Sequence, residues 1–130
     1  MHNALQGGGI NLTELKKDHY ERTIFENHLR IHLDHEFVVV HDPQPLPLIK
    51  HYRKKGPWIW RCHIDFSKPD PDLWDYLKTF VERYDAAILT SPTYRQQLRI
   101  PQVFFAPAID PFTTKNCEME SAAIEERLNH

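Results

Sequence analysis

The sequence predicts an α/β domain: a partial Rossmann-like unit with a parallel sheet of about four strands and flanking helices. Short apolar runs, of the kind that parallel sheets bury on both faces, alternate along the chain with helical segments. The connections between them are short, and such strand–helix–strand units form right-handed crossovers within one sheet. The length of 130 residues suits a single domain of this kind.

The first predicted element is a long amphipathic helix over about residues 12–32, preceded by coil over residues 1–10. Asn11 and Glu14 fit a capping box, in which the Asn oxygen takes a free backbone N–H and the Glu reaches back. The residues of its predicted inner face recur at steps of three and four, at Leu12, Leu15, Tyr20, Ile24, His28 and Ile31.

Four apolar or β-branched runs predict the strands. We expect them at residues 37–40, 58–64, 86–90 and 102–105. Between them the sequence predicts a short helix from Pro45 to about Tyr52, a longer helix opened by Asp70-Pro71, and a short helix from Ser91-Pro92 to about Leu98. Residues 1–112 should form this partial domain, and residues 113–130 a helical C-terminal tail.

Composition excludes several classes of partner. The 16 basic and 18 acidic side chains give a formal charge of −2, whereas nucleic acid or an anionic membrane calls for a basic excess. No apolar run approaches the roughly 20 residues of a membrane-spanning helix, and no secretory signal is visible. Two cysteines are too few for a disulfide framework. We therefore expect a cytoplasmic protein without nucleic-acid or membrane partners.

Polar residues follow the first two strands, whose carboxyl ends should meet at one edge of the sheet. His41, Asp42 and Gln44 come after the first strand, and His63 and Asp65 close the second. The first group fits either a simple turn or contacts to a hydroxyl-rich ligand. His63 fits either a satisfied core histidine or a ligand contact. Residue types alone leave these alternatives open.

Histidine spacing does not amount to a metal site. His28 and His32 stand four residues apart on the predicted helix, a spacing that can hold a metal. The glutamate of H-E-x-x-H is missing and Arg30 lies between them, so solvated surface histidines are the better interpretation. We therefore predict no metal and no cofactor.

Three stretches carry a family resemblance: residues 2–7 (HNALQG), 40–45 (VHDPQP) and 58–65 (WIWRCHID). In this order they resemble the trehalose glycosyltransferring synthases. These are retaining glycosyltransferases of the GT-B fold, in the large GT4 family that also holds sucrose and trehalose-phosphate synthases. The closing segment 107–111 (PAIDP) is similar to the point at which such enzymes leave their N-terminal domain.

The resemblance implies transfer of glucose from a nucleoside-diphosphate glucose to glucose, giving trehalose with retention at the anomeric carbon. It implies a catalytic role for His63 at the donor sugar. The substrate-binding residues that it implies are Asp42, Gln44, Asn3, Gln6, His41 and Asp65. It also implies that the chain lacks the first strands of its domain and the whole donor-binding domain, and would be inactive alone.

Two alternatives remain beside the glycosyltransferase fragment. The first is a non-catalytic oligomerising or sugar-binding module, with a homodimer formed through an exposed sheet edge or by strand exchange. The second is an unrelated α/β domain that handles a metal or phosphate through its histidines.

Overall fold

Four parallel strands form one sheet in the computed structural model, which describes residues 2–108 and 110–113. The strands are β1 Val38–His41, β2 Trp58–Cys62, β3 Ala86–Leu89 and β4 Gln102–Phe104. They lie side by side in the order of the sequence, and each neighbouring pair is parallel. The predicted α/β fold, with about four parallel strands and flanking helices, is confirmed.

Five helical segments accompany the sheet in the described part of the chain. They are α1 His2–Leu5, α2 Glu14–His28, the 3₁₀ helix Leu46–Lys50, α3 Pro71–Val81 and the 3₁₀ helix Pro92–Tyr94. α3 begins where the sequence predicts. The Asp70 carboxylate accepts a hydrogen bond from the Leu73 backbone N–H at 3.0 Å, and Pro71 takes the first turn.

α2 is shorter than predicted at both ends. It is capped by Thr13 rather than Asn11, because the Thr13 side chain accepts a hydrogen bond from the Lys16 backbone N–H. It ends at His28, so His32 lies outside the helix. The predicted helix over 12–32 is therefore wrong in its bounds, and the two histidines do not share a helix face.

The inner face of α2 also differs from its prediction. Leu15 is 76% exposed, because it stands nine residues, or about two and a half turns, from the buried Ile24. Ile31 is 41% exposed and lies beyond the helix end. Residues 2–5, predicted as coil, form α1 instead, since Ala4 and Leu5 pack into the core.

The two short predicted helices are 3₁₀ helices. The first covers Leu46–Lys50, with Pro45 as its N-cap and Pro47 in its first turn, and the His51 N–H closes it by donating to the Leu48 carbonyl. After β3, the 3₁₀ helix Pro92–Tyr94 ends because Arg95 takes an extended conformation, with ψ at 131°.

The sheet is covered on one face only within the described residues. The covered face supplies a buried set: Val38, Val40, Trp58, Trp60, Cys62, Ala87 and Leu89. The opposite face, here called the open face, consists of Val39, Ile59, Arg61, Ile88 and Val103. Sequential strand order with right-handed crossovers puts every connection on one side, although parallel sheets are normally covered on both. Val39 and Val103 are accordingly 40% and 45% exposed.

Of the predicted tail over residues 113–130, all but Thr113 lies outside the described residues. Across the ranges that the structure describes, no helix combines the length and the apolar character that crossing a membrane requires.

α2 packs on the first 3₁₀ helix through two histidine rings. His28 and His51 stack with centroids 4.7 Å apart, and the buried Nε2 of His51 has no hydrogen-bond partner among the described residues. Burial lowers the pKa of His51 below its ordinary value of 6.5, and the neighbouring His28 and Lys50 lower it further. A proton therefore binds His51 more readily in the unfolded chain than in the folded one.

We therefore expect the free energy of unfolding to fall as the pH drops below 6.5, because the contribution of a lowered histidine pKa is complete above that value. His51→Phe keeps a ring against His28 and should flatten this dependence. Urea unfolding between about pH 7.5 and pH 5 measures the effect. His19→Phe, at an exposed position on α2, is the control. An unchanged pH slope in His51→Phe would contradict this assignment.

Candidate functional site

The carboxyl edge of the sheet brings together the two polar corners that the sequence separates. β1 ends at His41, which is paired with Arg61 in the register, and β2 ends one residue later at Cys62. His63 follows, and its Nε2 lies 2.8 Å from Nδ1 of His41. The two rings are parallel within 6°, with centroids 5.1 Å apart. Both residues are exposed, so a hydrogen-bonded imidazole pair faces outward at this edge.

Asp42 holds the two corners in one arrangement. Its backbone φ is +63°, in the left-handed region that Asp tolerates better than most side chains. Its Oδ1 accepts a hydrogen bond from the His63 backbone N–H at 2.8 Å, and its carbonyl accepts one from Trp60 Nε1 at 3.0 Å. Its own N–H donates to the Arg61 carbonyl at 2.8 Å. Three bonds thus tie the residue after β1 to β2 and to the residue after it.

The remaining predicted residues lie around this edge in different ways. Gln44 is exposed in the turn that follows Asp42. Asp65 is exposed, and its Oδ1 accepts a hydrogen bond from the Ser67 N–H at 2.9 Å, which lowers the pKa of the carboxyl. Its carboxylate therefore serves the local turn after β2.

Asn3, within α1, and Gln6, directly after it, are both exposed, and α1 packs against α3. The Ala4 carbonyl accepts a hydrogen bond from the Asp70 N–H at 2.8 Å, so α1 sits beside the start of α3. Among the described residues, neither side chain hydrogen-bonds to the histidine pair. The structure therefore joins His41, Asp42 and His63 directly, and leaves Asn3 and Gln6 at the neighbouring α1.

A groove of about 550 Å³ opens beside His63. Its lining comprises Arg61, His63, Ile88 and residues 105–108. Nη2 of Arg61 donates to the Phe105 carbonyl at 3.0 Å, while its buried Nη1 has no partner within the described ranges. Residues 105–108 were not among the site residues predicted from the sequence. The rule that ligands gather at strand carboxyl ends could have found them, because they follow β4 directly.

A second cavity, of about 520 Å³, is lined by residues of α2, of α3 and of the segment that precedes α2. Its walls are largely apolar, from residues such as Leu12, Leu73 and Tyr76, and it contains none of the predicted site residues. Binding sites combine apolar walls with a few converging polar groups, which the histidine edge provides. No cluster of three or more metal-ligating side chains occurs in the described part of the chain.

The Asp42 contacts yield a prediction for stability. Asp42→Ala removes the acceptor for the His63 N–H and places a Cβ-bearing residue without a polar side chain at φ +63°, so we expect a loss of about 1–3 kcal/mol. Asp42→Asn keeps a side-chain oxygen and should cost less than about 1 kcal/mol. Asp42→Gly relieves the backbone but not the missing acceptor, and should fall between them.

Urea unfolding of the three variants measures these losses. Equal stability of Asp42→Ala and Asp42→Asn would show that the Oδ1 contact contributes nothing to holding the corner.

Comparison with known proteins shows which family this sequence matches. A family model described as "Trehalose synthase, N-terminal domain" matches residues 1–96. A trehalose synthase from Pyrococcus horikoshii is 46% identical over 127 residues, which cover 95% of this chain and 31% of that protein. The trehalose synthases of Thermococcus litoralis and Pyrococcus furiosus are each 43% identical over 131 residues, or 98% of this chain and 32% of theirs. The chain spans about a third of the length of the curated relatives it matches.

Proposed function

Because this chain belongs to the trehalose synthase family, we propose that it forms the acceptor side of a retaining glucosyltransferase. The reaction proposed is transfer of glucose from a nucleoside-diphosphate glucose to glucose, giving trehalose. The chain would supply part of the N-terminal Rossmann-like domain of a GT-B enzyme. The observation that carries the proposal is the 2.8 Å contact between His41 and His63, which unites the two corners at one sheet edge.

The chemistry of this edge suits a hydroxyl-rich ligand. The exposed imidazoles of His41 and His63 offer both a donor and an acceptor. Asp42 uses Oδ1 for the His63 N–H, and its Oδ2 makes no hydrogen bond to any described residue. We assign Oδ2 of Asp42 to a hydroxyl of the glucose that accepts the transferred sugar, and we assign Gln44 to the same glucose.

Fixed polar groups at this position would also serve the transfer step. Glycosyl transfer passes through an oxocarbenium-like state, and preorganised dipoles stabilise developing charge more than flexible ones do. His63 is held by two contacts, from the His41 ring and the Asp42 carboxylate. We therefore assign His63 to the donor sugar near the reacting carbon, as the family resemblance implies.

We propose further that the chain does not turn over sugar nucleotide by itself. A leaving diphosphate carries a charge of about −2 or more, and its departure needs cationic partners. At the histidine edge the groove contains one described guanidinium, that of Arg61, and it is already bonded to the Phe105 carbonyl.

Incubation of the chain with UDP-glucose or ADP-glucose and glucose tests this proposal. We expect no trehalose above the blank without protein. The same mixture with a full-length relative, such as the Pyrococcus horikoshii enzyme, is the positive control. Appreciable trehalose from the chain alone would contradict the proposed division of the site.

The open face favours a second candidate, a non-catalytic module that pairs with itself. β1 and β4 are the outer strands of the sheet, and each exposes an apolar side chain, Val39 on β1 and Val103 on β4. In this proposal, two copies associate through an exposed edge or by strand exchange. The mass in solution, from light scattering behind size exclusion, tests it: a dimer that Val103→Lys dissociates would favour this candidate, and a monomer at all concentrations would exclude it.

A further inference from the structure

We propose that His41 accepts the Nε2 proton of His63 and so keeps Nδ1 of His63 unprotonated, as a hydrogen-bond acceptor for a ligand hydroxyl. His41 is then a positioning residue that acts through His63. The inference deepens the proposed function, on which its ligand class rests, because it names the His63 atom that meets the sugar.

One N···N contact at hydrogen-bond distance needs one protonated and one bare nitrogen. Nδ1 of His41 and Nε2 of His63 are 2.8 Å apart, a hydrogen-bond distance, so one nitrogen carries the proton and the other offers a lone pair. A neutral imidazole has one protonated and one bare nitrogen. The direction of this hydrogen bond therefore also decides the protonation of the two nitrogens outside it, Nε2 of His41 and Nδ1 of His63.

Two neutral arrangements satisfy this contact. In the first, His63 donates from Nε2 and both rings carry their protons on Nε2. In the second, His41 donates from Nδ1 and both rings carry their protons on Nδ1. The Nε2–H form is the more stable tautomer of a histidine side chain in water, and both rings are exposed to water here. The first arrangement has both rings in this preferred form and the second has neither, so the first has the lower free energy.

Neighbouring contacts keep the His63 ring in place for that role. Oδ1 of Asp42 accepts the His63 backbone N–H at 2.8 Å, which fixes the start of the side chain. The two rings lie parallel within 6°, so the contact between them fixes the far end of the His63 ring as well. His63 also lines the groove beside Arg61, where a ligand can approach it.

The consequence is a chemical requirement on the ligand. An unprotonated Nδ1 accepts a hydrogen bond and donates none, so the group it meets must carry a proton, as a sugar hydroxyl does. A carboxylate or phosphate oxygen would face a lone pair and be disfavoured. Together with the proposed function, this requirement gives a sugar held by one hydroxyl that donates to Nδ1 of His63.

Imidazole nitrogen spectra of the ¹⁵N-labelled full chain at neutral to mildly alkaline pH test the inference directly. We expect His63 with a protonated Nε2 and a bare Nδ1, and a scalar coupling across the Nε2–H···Nδ1 bond to His41. A protonated Nδ1 on His63, or no coupling between the two rings, would overturn it.

Two substitutions separate positioning from general stability. His41→Asn places an oxygen near the former Nδ1 and should leave His63 in the same tautomer. His41→Leu removes the acceptor, so a minor Nδ1–H population of His63, which the His41 contact suppresses, should become detectable while the amide spectrum remains that of a folded protein. His19→Leu, at an exposed histidine on α2, should change nothing at His63. An Nδ1–H population of His63 that is no larger in His41→Leu than in the unsubstituted chain would also overturn the inference.

Adding glucose to the same samples distinguishes this inference from the proposed function. The tautomer of His63 without sugar tests the inference alone. Shifts of the Asp42 and Gln44 amides when glucose, the acceptor of the proposed reaction, is added test whether the edge binds sugar.

Discussion

Replacing His63 with alanine is expected to lower kcat of a chimeric trehalose synthase by about 10²–10³-fold, the range for loss of one preorganised polar group at a reacting centre. In the chimera, this chain replaces the third of the Pyrococcus horikoshii enzyme that it matches at 46% identity. The large effect is expected because His63 is held in place by both His41 and Asp42 before substrate arrives. Trehalose formation from a nucleoside-diphosphate glucose and glucose measures it.

The control for this prediction is a histidine away from the edge. His35→Ala, at an exposed position before β1, should leave kcat within about twofold, as for most surface substitutions. Asp42→Asn, which keeps a side-chain oxygen for the His63 N–H, should fall between the two. Full activity of the His63→Ala chimera would show that His63 takes no part in the reaction.

Trp60→Ala is expected to lower the free energy of unfolding by about 3–5 kcal/mol, the usual loss for a buried Trp or Phe cut back to Ala. Trp60 is 1% exposed and packs edge to face on Phe66, with ring centroids 6.0 Å apart. Its Nε1 also donates to the Asp42 carbonyl at 3.0 Å. The substitution therefore removes core volume and one support of the histidine edge. Urea unfolding measures the loss.

Two variants make this prediction specific. Trp60→Phe keeps most of the apolar ring but leaves the Asp42 carbonyl without its donor, so it should cost about 1–3 kcal/mol. Phe112→Ala, at a position 90% exposed, should change stability by less than about 0.5 kcal/mol. A loss below about 1 kcal/mol in Trp60→Ala would be inconsistent with the core described here.

The sheet was predictable because its signals are local. The run at 37–40 is wholly apolar, the run at 58–64 is apolar except at Arg61 and His63, and the buried face of a parallel sheet needs such runs. Helix bounds were less predictable, since they depend on contacts between distant residues. α1 forms because Ala4 and Leu5 are buried beside α3, and nothing in residues 1–10 alone signals that contact.

The candidate site was predictable in outline only. The carboxyl-end rule indicated that the corners at His41 and His63 would meet, and the resemblance to trehalose synthases is confirmed at the level of the family. The left-handed conformation of Asp42 and the contact between the rings depend on the register of β1 and β2. The groove wall at 105–108 depends on β4 ending beside β3. No local pattern encodes those placements.

Titration of the ¹⁵N-labelled chain with glucose, followed through its backbone amides, tests most directly whether the carboxyl edge of the sheet binds sugar. Saturable shifts confined to residues 41–44, 63–65 and 105–108 are the predicted result, and Asp42→Ala should weaken them. Absence of saturable shifts there, or their appearance instead around the cavity between α2 and α3, would contradict the account.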